Sequence, residues 1–216
     1  MSDPSAGWIA VEVSEEFPEL RLVELSVQAR PRRSPRSVRE RLKHLSNRFR
    51  GAQAVAQRQE PVPWAYRVFY RHVGLDPDAD RTPAEAAMLA RLVRGGFRSE
   101  NLLDDALLIA LVETGVPIWA LDEGQVDGTL GVRVAGVGER LGRAAEAPPV
   151  PAGRLVVADG RSPLAILFGE LAPRHGVTAD TRAMRLFSVQ VAGVPSIHVD
   201  EALWQCSDIL LEGIGH

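Results

Sequence analysis

A chain of 216 residues with 45% hydrophobic and 25% charged side chains, a net charge of −3 and a pI near 6.0 has the composition of an ordinary soluble globular protein, long enough to bury a sizeable core. Extensive disorder away from the ends is excluded, and so is a polycation that binds nucleic acid by bulk attraction, so any RNA contact has to be local. Cys206 is the only cysteine, which rules out an intrachain disulfide or a cysteine-based metal cluster and agrees with a reducing compartment. Residues 1–13 show no basic start followed by an apolar core, and no apolar run approaches the roughly 20 residues of a membrane span. The expected location is cytoplasmic, with no membrane partner.

Trp8 to Val13 alternates in hydropathy and predicts a strand broken at Phe17-Pro18. Leu20 to Ala29 alternates more fully, Leu20, Leu22, Leu25 and Val27 interleaving with Arg21, Glu24, Ser26 and Gln28, as in a half-buried strand. Pro31 and Pro35 bracket a turn, after which Ser34 or Ser37 is a candidate cap. From Arg36 to about Arg58 the spacing is helical, with Val38, Leu42, Leu45, Phe49, Ala52 and Val55 on one side. The other side is basic: Arg36, Arg39, Arg41, Lys43, Arg48 and Arg50 meet one acid, Glu40. That field suits tRNA phosphates, which guanidinium forks pair well with, and it equally describes a solvated helix face.

Glu60-Pro61-Val62-Pro63 separates this helix from a short aromatic one, Trp64 to His72, with Ala65, Val68 and Phe69 inward, Arg67 and Arg71 outward, and Gly74 at its end. Thr82, Pro83 and Glu85 form a capping box with proline at the first helical position. The helix they open runs through Met88, Leu89 and Leu92 to Gly95-Gly96. Arg81 and Glu85 stand four apart, which suggests a local ion pair.

Residues 101–122, NLLDDALLIALVETGVPIWALD, read as a buried helix turning sharply into a strand. Leu102, Leu103, Ala106, Leu107, Ile109, Ala110, Leu111 and Val112 leave only a narrow polar face. Gly115 is placed to take the left-handed conformation that closes the last turn, and Pro117 cannot continue it. Ile118 to Leu121 is then a short strand ending at Asp122, a candidate pocket wall. Beyond it come short strands and turns: Leu130 to Val134, Arg154 to Asp159, Leu164 to Phe168 and Thr178 to Gln190, with a proline-bearing connection at residues 144–153. Residues 199–213 predict an amphipathic helix on Leu203, Cys206, Ile209 and Leu210, with Asp200 as a cap candidate. The pattern is α+β.

The order of these motifs resembles the tRNA-synthetase B3/4 domain, the editing module of the phenylalanyl-tRNA synthetase beta subunit, which also occurs free-standing. Asp105, Gly115, Pro117 and Asp122 match its helix-turn-strand pattern. Arg67, Tyr70, Gly74, Asp76, Pro77, Arg81, Glu85 and Arg91 match the upstream pattern, and Val177, Thr178 and Thr181 a later one, so the likeness runs from about Val62 to Gln190. It implies a barrel-like or sandwich mixed sheet with several packed helices, one B3/4-like domain over residues 1–216, with a basic helical segment at about 30–60. It also implies tRNA or aminoacyl-tRNA as partner, with hydrolysis of mischarged aminoacyl-tRNA in trans as the related activity. Two polar positions of the synthetase pocket carry Trp119 in place of a histidine and Leu108 in place of an asparagine.

The chain lacks a phosphate loop, a dinucleotide glycine motif, HExxH and GxSxG, and its histidines have no zinc-like spacing. No metal or cofactor is expected. At this length there is no room for an aminoacylation domain, so a complete ligase is excluded. The candidate catalytic groups are Glu170 and His175, to orient a water. The candidate substrate-binding set is Gly115, Pro117, Trp119, Asp122, Thr178 and Thr181, and the candidate RNA-binding set is Arg36, Arg39, Arg41 and Lys43. Loop exposure for Glu170 and His175, turn hydrogen bonds for the two threonines and a turn cap for Asp122 are the plain alternatives. A pocket protein for an amino-acid-like small molecule, without catalysis, is the competing functional class.

Overall fold

In the computed structural model, which describes residues 3–212, the chain forms two compact units: Met1–Arg30 with Ala120–Gln190, and Pro31–Trp119 with Val191–His216.

The first unit is built of sheets. Its short N-terminal strands are β1 (Ser5–Ala6) and β2 (Trp8–Ile9), followed by a one-and-a-half-turn helix α1 (Val11–Glu16) and the long strand β3 (Arg21–Val27). After the helical unit come β4 (Trp119–Asp122), β5 (Gly131–Val134), β6 (Leu155–Ala158), β7 (Pro163–Ile166) and β8 (Met184–Gln190). They make two four-stranded sheets, ordered β1-β3-β8-β4 and β2-β5-β6-β7. The expected α+β class holds, in its sandwich form: neither sheet closes into a barrel. β3 and β8 pair antiparallel along their full length, from Arg21 opposite Gln190 to Val27 opposite Met184.

Residues 5–9 serve both sheets, because β1 pairs with β3 whereas β2 runs parallel to β5. Gly7 sits at the crossing, where a Cβ would lie 2.2 Å from the Leu130 carbonyl oxygen and 2.6 Å from Leu22 Cδ2. Only a residue without a side chain lets the strands approach this closely. The strand expected over residues 8–13 therefore stops at Ile9. Val11 and Val13 enter α1, where Val13 is buried and Val11 is exposed. A two-residue alternation fits one helical turn as well as a strand.

Glu24, expected on the wet face of β3, is buried. Its carboxylate accepts from Arg185 Nη1 (2.7 Å) and the Leu130 amide (3.1 Å), while Arg185 also forks onto both oxygens of Glu123 (2.6 and 2.8 Å). The hydrogen bonds to Glu123, opposed by burial and reinforced by Glu24, hold the guanidinium above its ordinary pKa. A buried carboxylate survives here because it is paired and hydrogen-bonded.

The second unit is helical: α2 (Arg36–Arg48), α3 (Ala52–Ala56), α4 (Pro61–His72), α5 (Pro83–Arg94), α6 (Leu102–Thr114) and α7 (Ser196–Leu211). α6 packs against α7, α2 and α5 and buries Leu102, Ala106, Ile109 and Ala110 completely. Asn101 caps it by accepting from the Asp104 amide, and Gly115 closes it at φ +77°. Asp105 on its first turn is 1% exposed and accepts from Ser34 Oγ (2.5 Å), Ser99 Oγ (2.5 Å) and the Glu100 amide (3.0 Å). One carboxylate thus ties three chain segments together.

Several expected boundaries move. The helix predicted over 36–58 breaks at Phe49–Gly51, where Gly51 takes φ +49°. Pro35 is the N-cap of α2 with no side-chain cap; Ser34 is spent on Asp105. α4 begins at Pro61 rather than Trp64, because proline is tolerated in a first helical turn whose N–H groups lack partners anyway. α7 starts at Ser196, before Asp200, which is therefore not its cap; residue 213 lies outside the described residues. The capping box at Thr82 and Glu85 forms as read, but Glu85 pairs with Arg67 and not with Arg81. Arg67 points inward, 5% exposed, bound to Glu85 and, at 2.6 Å, to Asp78. The Asp78 hydrogen bond, opposed by burial and aided by Glu85, raises its pKa. Burial, then the charges of Asp80 and Glu85, raises that of Tyr70.

Candidate functional site

In the sheet unit, β4 ends at Asp122, whose carboxylate is held from two sides. Oδ1 accepts from the Gly124 amide at 2.9 Å, and Oδ2 accepts from Thr181 Oγ1 at 2.5 Å. The Thr181 hydroxyl in turn accepts from the Thr178 amide (3.0 Å), and the Thr181 amide donates to the Thr178 carbonyl (3.0 Å). The Asp122 amide donates to the His175 carbonyl (2.9 Å), and Leu121 bridges to Gly176. The fold thus brings Asp122 together with His175, Thr178 and Thr181, which lie more than fifty residues further along the sequence. Thr178 and Thr181 stand in a turn ahead of β8, not on the strand expected over residues 178–190.

The chemistry left to this cluster follows from what each group has spent. Thr181 is 1% exposed and uses its hydroxyl both as donor and as acceptor, so it is a positioning residue and not a nucleophile. Asp122 is half-buried, and each carboxylate oxygen keeps a further lone pair that can take an ammonium or hydroxyl proton. His175 is 3% exposed, with Nδ1 2.9 Å from the Pro173 carbonyl oxygen. That carbonyl only accepts, so in the neutral ring Nδ1 carries the proton and Nε2 presents a lone pair. Nε2 is buried and has no hydrogen-bond partner among the described residues. The ring is packed against the chain at Gly142, where a Cβ would come within 3.2 Å of Cε1. Glu170 is exposed in the turn after β7, its carbonyl accepting from the Ile166 amide; no hydrogen bond joins it to His175 among the described residues.

In the helical unit, the turn at Gly115 presses on the start of α4: a Cβ at Gly115 would lie 2.8 Å from Pro63 Cδ. Pro117 is buried and Trp119 half-buried. Beside the Gly115 turn is a cavity of about 560 Å³ whose walls include Arg48, Phe49, Pro63, Glu113 and His198. The sequence places Gly115 in a pocket wall but does not announce its neighbours. The Glu60-Pro-Val-Pro segment, which begins α4 at the cavity, is the signal available there.

The basic face of α2 divides. Arg36, Arg39 and Lys43 are exposed, Arg36 pairing with Glu40 at 2.7 Å. Arg41 turns away and forks onto Glu113 of α6 at 2.6 and 3.0 Å. Its charge is neutralised at the surface it shares with α6, leaving Arg36, Arg39 and Lys43, with Glu40 beside Arg36, along the outer side.

A family model for the B3/4 domain matches residues 65–197, well over half of the chain. The chain belongs to the B3/4 domain family. The match takes in α4 to α6, the Gly115 turn and the Asp122 cluster. Two curated relatives are phenylalanine–tRNA ligase beta subunits. That of Streptomyces avermitilis is 35% identical over 109 residues, covering 50% of this chain and 13% of its own. That of Chromobacterium violaceum is 38% identical over 88 residues, covering 39% of this chain and 11% of its own. The alignments thus span only about an eighth of the length of either ligase subunit. This B3/4 domain protein is accordingly related to a tRNA-synthetase component, and no described helix is long and apolar enough to cross a membrane.

Proposed function

We propose that the protein is a free-standing B3/4 module that binds tRNA or aminoacyl-tRNA and hydrolyses the aminoacyl ester of mischarged tRNA in trans. The observation that carries the RNA part is the exposed row Arg36, Arg39 and Lys43 on α2, local positive charge on a chain whose net charge is −3. Guanidinium and ammonium groups in such a row neutralise phosphates. The family relationship supports tRNA over other polyanions.

The ester joining an amino acid to a terminal ribose is already activated. A site can cleave it by holding a water and the carbonyl in register, without a covalent intermediate. In this reading Asp122, fixed by Thr181 and Gly124, takes the substrate's ammonium, and His175 Nε2, buried in the free protein, accepts a proton from the attacking water once substrate binding uncovers the ring. Glu170 orients that water from the neighbouring turn. Trp119 and Leu108 stand where the synthetase carries a histidine and an asparagine, so the substrate panel is not confined to the synthetase's amino acid.

The test is deacylation of a panel of mischarged tRNAs by wild type, His175→Ala, Glu170→Ala and Asp122→Ala, each checked for folding. Loss of hydrolysis with retained tRNA binding in His175→Ala supports the hydrolase; wild type inactive on every member overturns it. A second reading, a pocket for an amino-acid-like small molecule, is favoured by the cavity of about 560 Å³ beside Gly115, within the size range of ligand sites. It predicts thermal stabilisation by free amino acids in the absence of RNA.

A further inference from the structure

Arg91, in the last turn of α5, is 8% exposed. Its guanidinium donates to the Ser46 carbonyl of α2 at 2.8 Å, its Nε is buried without a hydrogen-bond partner, and no carboxylate pairs with it among the described residues. A buried cation without a counter-ion is expensive, and the partial negative charge at the C-terminal end of a helix offsets it only in part. Arg91 lines a cavity of about 290 Å³ with an apolar floor of Ala87, Ala90, Phe97 and Leu108, and Arg94 and Arg98 line it too. Both of these arginines are exposed.

Three acids also line the cavity, and two of them are already occupied. Asp105 accepts from Ser34, Ser99 and the Glu100 amide. Asp104 holds Asn101 at the start of α6, where the helix dipole favours a negative charge. Glu100 reaches Arg94 only at 3.5 Å with both side chains more than half exposed, a weak pair. The lining thus carries three guanidinium and three carboxylate groups, and among the described residues Arg91, the most deeply buried of the cations, is not paired with any of these acids.

We propose that this pocket binds a phosphate group, with Arg91 as the buried anchor and Arg94 and Arg98 as the donors at its rim. Guanidinium donors from three arginines suit a tetrahedral oxyanion with several acceptor oxygens. The inference goes beyond the function proposed above and does not depend on it: the phosphate can come from a free nucleotide or from a tRNA backbone.

The experiment measures the thermal midpoint of the whole protein against inorganic phosphate, with sodium chloride added to hold ionic strength constant. It compares wild type with Arg94→Ala, Arg98→Ala and Arg91→Met. Wild type shows a saturable rise, as mass action requires of a specific ligand, and Arg98→Ala or Arg94→Ala needs at least tenfold more phosphate for the same rise. Because these two residues are exposed, their loss leaves folding intact even if Arg91→Met does not fold. No rise, or the same rise in wild type and in both rim variants, overturns the proposal, since phosphate also stabilises proteins by exclusion from their surfaces. Adenosine monophosphate and tRNA then separate the sources. A tenfold loss of tRNA affinity in Arg98→Ala identifies the backbone, whereas tighter binding of the mononucleotide with tRNA affinity unchanged identifies a free nucleotide. Arg39→Ala and Lys43→Ala alter only tRNA binding, so failure of the RNA reading remains distinguishable.

Discussion

Asp105→Ala tests whether one buried carboxylate fastens the helical unit. The side chain accepts two hydroxyl donors at 2.5 Å and one amide at 3.0 Å. Hydrogen bonds to an ionised group contribute at least roughly 1.5 kcal/mol each, so about 4.5 kcal/mol is removed. Relief of the carboxylate's own burial returns several kcal/mol, and the three donors left without an acceptor cost roughly 1 kcal/mol each. The net cost is about 3 kcal/mol, or a fall of about 6–12 °C in Tm for a chain of this size. Asp105→Asn keeps the shape and an oxygen for the Glu100 amide, and the Ser34 and Ser99 hydroxyls can rotate to accept from the new amide. Its cost is therefore smaller, about 1 kcal/mol. Urea unfolding followed by helix content, with thermal melts alongside, measures both. A loss below about 1 kcal/mol for the alanine variant, or equal losses for the two, would refute the reasoning.

Asp159 gives the pH dependence. Burial pushes its carboxyl up, but the amides of Arg161, Asp127 and Ser162 together with Arg143 outweigh this and hold it below its ordinary value. A depressed folded pKa contributes stability that is present above the unfolded value, near 4, and is lost as pH falls through the folded one; Asp159→Asn flattens that acid limb in melts run from pH 7 downward. Gly115→Ala forces φ +77° on a residue with a Cβ that would meet Pro63 at 2.8 Å, costing about 2 kcal/mol or more in denaturant unfolding. Cys206 is wholly buried and its thiol is pushed up by burial; a thiol reagent reacts with it only at the unfolding rate, and rapid labelling of the folded protein would contradict this packing.

Signals local in sequence were readable. α6, its left-handed Gly115 cap, the Thr82–Glu85 capping box and the alternating β3 each rest on spacing within a few residues, and spacing is what periodicity measures. Features that depend on distant partners were not. Glu24 turns inward because Arg185 and Leu130, more than a hundred residues on, meet it there. Arg67 turns inward for Asp78 and Glu85, and Glu85 is thereby taken from Arg81. Val11 and Val13 alternate over too short a span to distinguish a strand from a helical turn. At the candidate site, residue types were legible but their commitments were not. The carboxylate of Asp122, the hydroxyl of Thr181 and the charge of Arg41 are each spent on partners that no local pattern announces. Arg91 shows the reverse, an unspent charge visible only once its surroundings are built.

The central claim, that the outer row of α2 grips tRNA, is tested most directly by the salt dependence of tRNA affinity. Deleting one phosphate-neutralising side chain lowers the slope of log K against log salt by roughly 0.7 to 0.9. The account predicts that Arg39→Ala with Lys43→Ala weakens binding and lowers the slope by about 1.5, while Arg41→Ala, whose charge is held by Glu113, leaves the slope nearly unchanged. An unchanged slope in the double variant, or the absence of tRNA binding by wild type at low salt, would contradict it.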